Sequence, residues 1–185
     1  MQKLSRDFYS QETEVVAQGL LGKHLVYIDN NDEKIGKIVE VEAYLGQHDL
    51  ASHSAKGLTM RTKIMYGPPG YAYVYLIYGI YYCFNVVTES ENNGCAVLIR
   101  ALEPIKNITK RTQGPGLLCQ AMNINKLLNG KDLLSDSLFI TYPQEYSKLA
   151  FSIVKRSRIG VEYAKHWSKK LLRFYIKGNE FVSKK

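Results

Sequence analysis

Cysteine is scarce in this chain. Its three cysteines, Cys83, Cys95 and Cys119, form no CxxC pair and leave an odd count. That argues against a disulfide framework and for reduced thiols in an intracellular protein. No hydrophobic run approaches the length of a membrane span, and the N-terminal MQKLSRDFYSQETEVV is too polar for a signal peptide. The motifs GxGxxG, GxxxxGK[ST] and GxSxG are absent, so the dinucleotide, P-loop and nucleophile-elbow signatures are missing. Internal repeats and low-complexity tracts are absent too. Acidic residues are the minority charge, 17 Asp and Glu against 25 Lys and Arg.

The excess of positive charge is uneven. Residues 1–92 carry 8 basic and 11 acidic side chains, and residues 93–185 carry 17 and 6. A basic half is the electrostatic footprint of a polyanion partner, or else a solubilising surface. With 185 residues, one domain over 1–185 is expected. At this length about 70% of the unfolded surface can be buried, so the core needs no disulfide or metal.

Tyrosine, by contrast, is plentiful. Six of the fourteen lie in YAYVYLIYGIYYCFN, Tyr71 to Asn85. Tyr71, Tyr73 and Tyr75 alternate with Ala72, Val74 and Leu76, the period of a strand with two different faces. Gly79 interrupts the pattern, which resumes through Ile80, Tyr82, Phe84 and Val86. Two strands joined near Gly79 are expected, with Tyr78 at the tip. A ring at a hairpin tip cannot bury itself in its own core and is available to insert into something else.

Elsewhere, Ser10 is expected to cap a first helix with Val15, Val16, Leu20 and Leu21 as its apolar stripe and Gly22 at its end. HLVYID and GKIVEVEAYLG read as strands around the turn NNDEK. Gln47 to Pro69 reads as a long polar loop. ENNG is a turn, CAVLIRALEP a strand stopped by Pro104, and GPGLLCQAMNINKLL a helix opened by Pro115. SLFITY, FSIVKR and LRFYIKG read as late strands. The sum is an α+β fold built mainly on an antiparallel sheet, with helices outside it.

Several residues could carry chemistry. Alternation puts Ile38, Glu40, Glu42 and Tyr44 on one face of a strand. Two glutamates on one face mean either a wet face or a carboxylate held for general-base work. His48, Asp49 and His53 raise a metal reading, but they lie in a loop without helical i, i+4 spacing. Cys83 and Cys95 fall in strand patterns, as core thiols do. Asn85 is either an edge residue or an amide offered to a base edge. Arg100, inside an apolar strand, needs a carboxylate or a phosphate.

Five blocks carry a resemblance: VEAYLGQHDLASHS (41–54), YVYLIYGIYYCFNVV (73–87), LIRALEP (98–104), GPGLLCQAMNI (114–124) and LRFYIKG (172–178). In these the chain resembles the alkyladenine (3-methyladenine, methylpurine) DNA glycosylase family over nearly its whole length. The resemblance implies a base-excision-repair enzyme that acts on double-stranded DNA containing damaged purines. Such an enzyme flips out an alkylated or deaminated purine and hydrolyses its N-glycosidic bond, leaving an abasic site. It implies that Glu42 activates the attacking water, with Arg100 near that water and the DNA backbone. Tyr44 and Tyr75 would stack on the flipped base, and His53 would hydrogen-bond at the base or its backbone. The Asn85 amide would crowd the 2-amino group of normal guanine. Tyr78 would wedge into the duplex, and Thr59 and Arg61 would lie near DNA. No lysine stands at the catalytic position, so no lyase step is expected, and no cofactor or metal is implied.

The expected fold is one α+β domain with a partly barrel-like antiparallel sheet, surrounding helices and a protruding β-hairpin. A monomer is expected, cytoplasmic and nucleoid-associated through DNA if the source is prokaryotic, and not membrane-bound. The chain departs from the family at IKNITKRTQ, shorter than the segment that relatives commonly carry between LIRALEP and GPGLLCQ. The loop from Ser54 to Gly70 is also about one residue short of some relatives. Two other readings stand beside the enzyme: a non-catalytic nucleic-acid-binding domain that stacks bases on its aromatic strands, and a metal hydrolase built on His48 and His53.

Overall fold

The computed structural model describes residues 2–143 and 150–185. Its spine is β2 (Asp32–Leu45), fourteen residues long. The first half of β2 pairs with β1 (His24–Asp29), its second half pairs with β8 (Arg173–Ile176), and β5 (Cys95–Lys106) runs along its other edge. The sheet continues from β5 to β4 (Tyr81–Thr88) and β3 (Ala72–Ile77), and from β1 to β6 (Leu138–Thr141). β7 (Ile153–Arg156) pairs with β8. All these pairings are antiparallel, and the sheet curls into a half-barrel of the expected α+β class.

Helix α1 spans Arg6–Tyr9, α2 Thr13–Leu20 and α3 Pro115–Met122. α2 packs on β2 and β5, and α3 on β4 and β5. The core they cover includes Leu20, Val41, Phe84, Ile99, Leu118 and Phe174, each essentially without exposure. Burying each such side chain contributes about 1.5–3 kcal/mol. No helix among the described residues is long and apolar enough to cross a membrane.

Three local expectations are corrected. Ser10 ends α1 instead of opening α2, whose N-cap is Glu12. The α2 terminus is satisfied from a distance: the Thr13 amide and hydroxyl both donate to Glu89 Oε1, 76 residues away. Val15, placed in the apolar stripe, is 48% exposed, and Ala17 joins Val16 and Leu20 in the core. Pro104 does not stop β5, which runs on to Lys106. The proline pairs with Gly36 where the register shifts, a place where a missing N–H is tolerated.

The hairpin forms as expected. Tyr78 (φ +54°) and Gly79 (φ +72°) both take the left-handed conformation at its tip. Tyr78 is 84% exposed there. The short segment after β5 folds back on that strand, with Ala101 bridged to Gln113 and the Thr112 hydroxyl donating to the Leu102 carbonyl.

Candidate active site

The strands β2, β3, β4 and β5, the start of α3 and residues 159–163 enclose a cavity of about 550 Å3. Tyr44, His53, Tyr75, Tyr78, Asn85 and Arg100 all border it. Glu42 lies immediately behind the wall, with no exposure. Its partners all border the cavity: the Tyr44 hydroxyl donates to Oε2 at 2.8 Å, the Ile159 amide donates to Oε1 at 2.8 Å, and Arg100 Nη1 stands 3.3 Å from Oε1.

Glu40 is equally buried, so the wet-face reading of this strand fails. Glu40 Oε1 accepts from Arg100 Nε at 3.2 Å and from Arg173 Nη1 at 2.9 Å, and Oε2 accepts from the Ser183 amide at 2.7 Å. Arg100 therefore bridges two carboxylates, and Arg173–Glu40–Arg100–Glu42 is a chain of alternating charge. The register of β2 against β5 shifts on both sides of Glu40. That bulge interrupts simple alternation, and Ile38, expected beside the glutamates, is a core residue with Val39, Val41 and Ala43.

The aromatic walls are tightly coupled. The His53 and Tyr75 ring centroids are 4.5 Å apart, and those of Tyr73 and Tyr75 5.3 Å. His53 Nδ1 is 2.9 Å from the Tyr73 hydroxyl, which leaves Nε2 as the ring's other hydrogen-bonding atom. Burial, reinforced by the nearby Arg61 and Lys56 charges, lowers the imidazole to about 4, so the ring is neutral at pH 7. Burial also pushes the Tyr44 and Tyr75 phenols well above their usual range, Tyr44 further because Glu42 is adjacent. Both remain protonated donors.

The Asn85 amide is fixed by donating to the Tyr73 carbonyl at 3.0 Å. The Arg61 guanidinium stands 5.3 Å from the Tyr75 ring, although Arg61 does not border the cavity. Thr59 is exposed and lies outside the cavity. Its hydroxyl and Thr62's are 2.9 Å apart, within a tight turn.

The metal reading dissolves in this geometry. Both Asp49 oxygens are engaged by Arg158, while His48 packs on Trp167 and His53 on the tyrosines. Among the described residues, no three His, Cys, Asp or Glu side chains are grouped to hold a metal. Cys83 and Cys95 are buried, as core thiols are, but Cys83 also borders the cavity. Burial raises both thiols, Cys95 to about 12, so neither is a ready nucleophile.

Sequence reasoning missed the whole segment from Arg158 to Tyr163, which supplies the Ile159 amide and part of the cavity wall. The signal available was an arginine two residues before a glycine, in a stretch with no strand or helix period. It also missed Gly116: a Cβ there would stand 2.8 Å from the Tyr81 ring, so glycine lets α3 press against β4.

A family model for methylpurine-DNA glycosylase matches residues 7–180. A Legionella pneumophila (strain Lens) protein named "Putative 3-methyladenine DNA glycosylase" is 65% identical over 184 residues, covering both chains fully. Proteins of the same name from Alkaliphilus oremlandii and Myxococcus xanthus are 46% and 44% identical. They cover 99% and 100% of this chain and 100% and 95% of their own. With that model matching most of its length and these relatives 44–65% identical, the chain belongs to the methylpurine-DNA glycosylase family.

Proposed function

We propose that this chain is a monofunctional glycosylase that takes an alkylated or deaminated purine, flipped out of duplex DNA, into the 550 Å3 cavity and hydrolyses its N-glycosidic bond. The observation that carries the reading is the Glu42 carboxylate. It is withdrawn from solvent, held from three sides, and set directly behind the Tyr44 and Arg100 wall.

In this reading the base stacks on Tyr44 and Tyr75, with His53 and Asn85 at its edges. A water beside Glu42 attacks C1′ and the C1′–N bond breaks. The bond's electron pair leaves with the purine, and the water's proton passes to the carboxylate. The negative charge also favours the oxocarbenium-like transition state. A purine made cationic by alkylation departs neutral. Tyr78 fills the space left in the stack. Thr59 and Arg61 lie on the loop that flanks the cavity and are assigned to DNA contact.

The test is single-turnover excision on duplexes carrying one hypoxanthine or one ethenoadenine, and on methylated DNA, with wild type and Glu42→Gln. Excision by wild type, with Glu42→Gln still binding but at least about a hundredfold slower, supports the reading. No excision by folded wild type on any duplex overturns it in favour of a binding-only domain.

A further inference from the structure

One buried ion pair has no role in the chemistry just described. Arg158 and Asp49 are 109 residues apart, both with side chains fully withdrawn from solvent. Their contact is a two-pronged fork, Nη1 to Oδ2 and Nη2 to Oδ1, the latter at 2.8 Å. Such a pair is weak evidence of stabilisation, because desolvating two charges offsets most of their attraction. Its value lies in geometry, since a bidentate fork fixes angle as well as distance.

Each end of the fork reaches the site. Arg158 Nη1 also donates to the carbonyl of Ala43, the residue between Glu42 and Tyr44, at 2.9 Å. Its guanidinium Cζ stands 4.7 Å from the Tyr44 ring centroid. Tyr44 borders the cavity and Arg158 does not, so the cation backs the ring from the protein side. The peptide that follows Arg158 carries the Ile159 amide that donates to Glu42 Oε1. Asp49, in turn, accepts from the Leu45 and Ala51 amides, which pins the start of the loop that brings His53 to the cavity.

We propose that Arg158, locked by Asp49, is a positioning residue for catalysis: it sets the Ile159 amide on Glu42 and the Tyr44 ring against the cavity. It touches neither substrate nor water. It holds three separate pieces of chain, the β2 strand, the loop to His53 and the segment 157–161, in one arrangement. The inference rests on the glycosylase reading. A lysine at 158 keeps the charge but has no planar fork to meet Asp49 and Ala43 together. An asparagine at 49 keeps the shape but has only one acceptor oxygen.

The experiment compares wild type, Arg158→Lys and Asp49→Asn on a duplex with one ethenoadenine. Ethenoadenine fluorescence reports flipping and stacking, and excision is followed in the same single-turnover reaction. Enzyme concentration is set by active-site titration, and a thermal melt checks the fold. The expected result is lesion-duplex affinity within about threefold of wild type, a first-order excision rate about 30- to 100-fold lower per active molecule, and altered ethenoadenine emission in the bound state. A purely structural pair would lower the active fraction and the melting temperature together and leave the rate per active molecule unchanged. That result in either folded variant overturns the proposal. If wild type itself fails to excise, the glycosylase reading fails, an outcome distinct from a wild type that excises and variants that match it.

Discussion

The Tyr44 hydroxyl donates to Glu42 Oε2 at 2.8 Å, so the ring that faces the cavity and the carboxylate behind it are one mechanical unit. Tyr44→Phe keeps the ring and removes this bond from a buried acceptor. The expected outcome is stability lower by about 1–3 kcal/mol in urea melts, lesion binding nearly unchanged, and single-turnover excision about tenfold slower. Unchanged excision would mean that the hydroxyl does not orient Glu42.

Glu40 is held by two arginines and a backbone amide. Glu40→Gln leaves Arg173 without a carboxylate partner and Arg100 with Glu42 alone, in a dry interior. A loss of about 3–5 kcal/mol is expected, the cost of breaking one side of a buried pair. Chemical denaturation measures it directly. A loss under about 1 kcal/mol would mean that the network relaxes without it.

His53 makes the fold sensitive to acid. Its folded value, about 4, lies below the unfolded value of about 6.5. As pH falls, the unfolded chain takes the proton first. The stability that the neutral ring contributes is complete above about pH 6.5 and is lost between there and pH 4. An NMR titration of His53 should give a midpoint near 4. Arg61→Ala, by removing a repelling cation, should raise it. A midpoint near 6.5 in wild type would show that the ring is solvated.

Tyr78 stands at the hairpin tip, 84% exposed, with no place in the core. Tyr78→Ala should leave the melting temperature within about a degree of wild type. Affinity for a lesion duplex should fall about tenfold or more, the scale of one lost stacking contact. Equal affinity in a fluorescence binding titration would remove Tyr78 from the DNA-binding role.

What the sequence disclosed followed its periods. The alternation of Tyr71 to Val86 and the break at Gly79 were enough to expect the hairpin and its tip. The blocks around Glu42, Tyr75 and Arg100 were enough to expect one site. Whether Glu40 and Glu42 face water was not legible, because alternation says which residues share a face and not what covers it. The arginines that cover them come from β5 and β8, 60 and 133 residues away from Glu40. Pro104 misled because a bulge in β5 itself, at Ile105, absorbs it. Ser10 misled because Glu89, far along the chain, satisfies the α2 terminus instead. Arg158 was invisible for a similar reason, lying in a connection whose meaning is its partner at Asp49.

The buried charges have a further consequence for how the molecule responds to ions. Arg173, Glu40, Arg100 and Glu42 carry two charges of each sign, and Arg158 with Asp49 one of each. The interior behind the cavity is thus electrically neutral. The net +8 of the chain acts from its surface, where dissolved ions screen it. Rising ionic strength should therefore slow the finding of DNA while leaving the hydrolytic rate of the bound complex nearly constant.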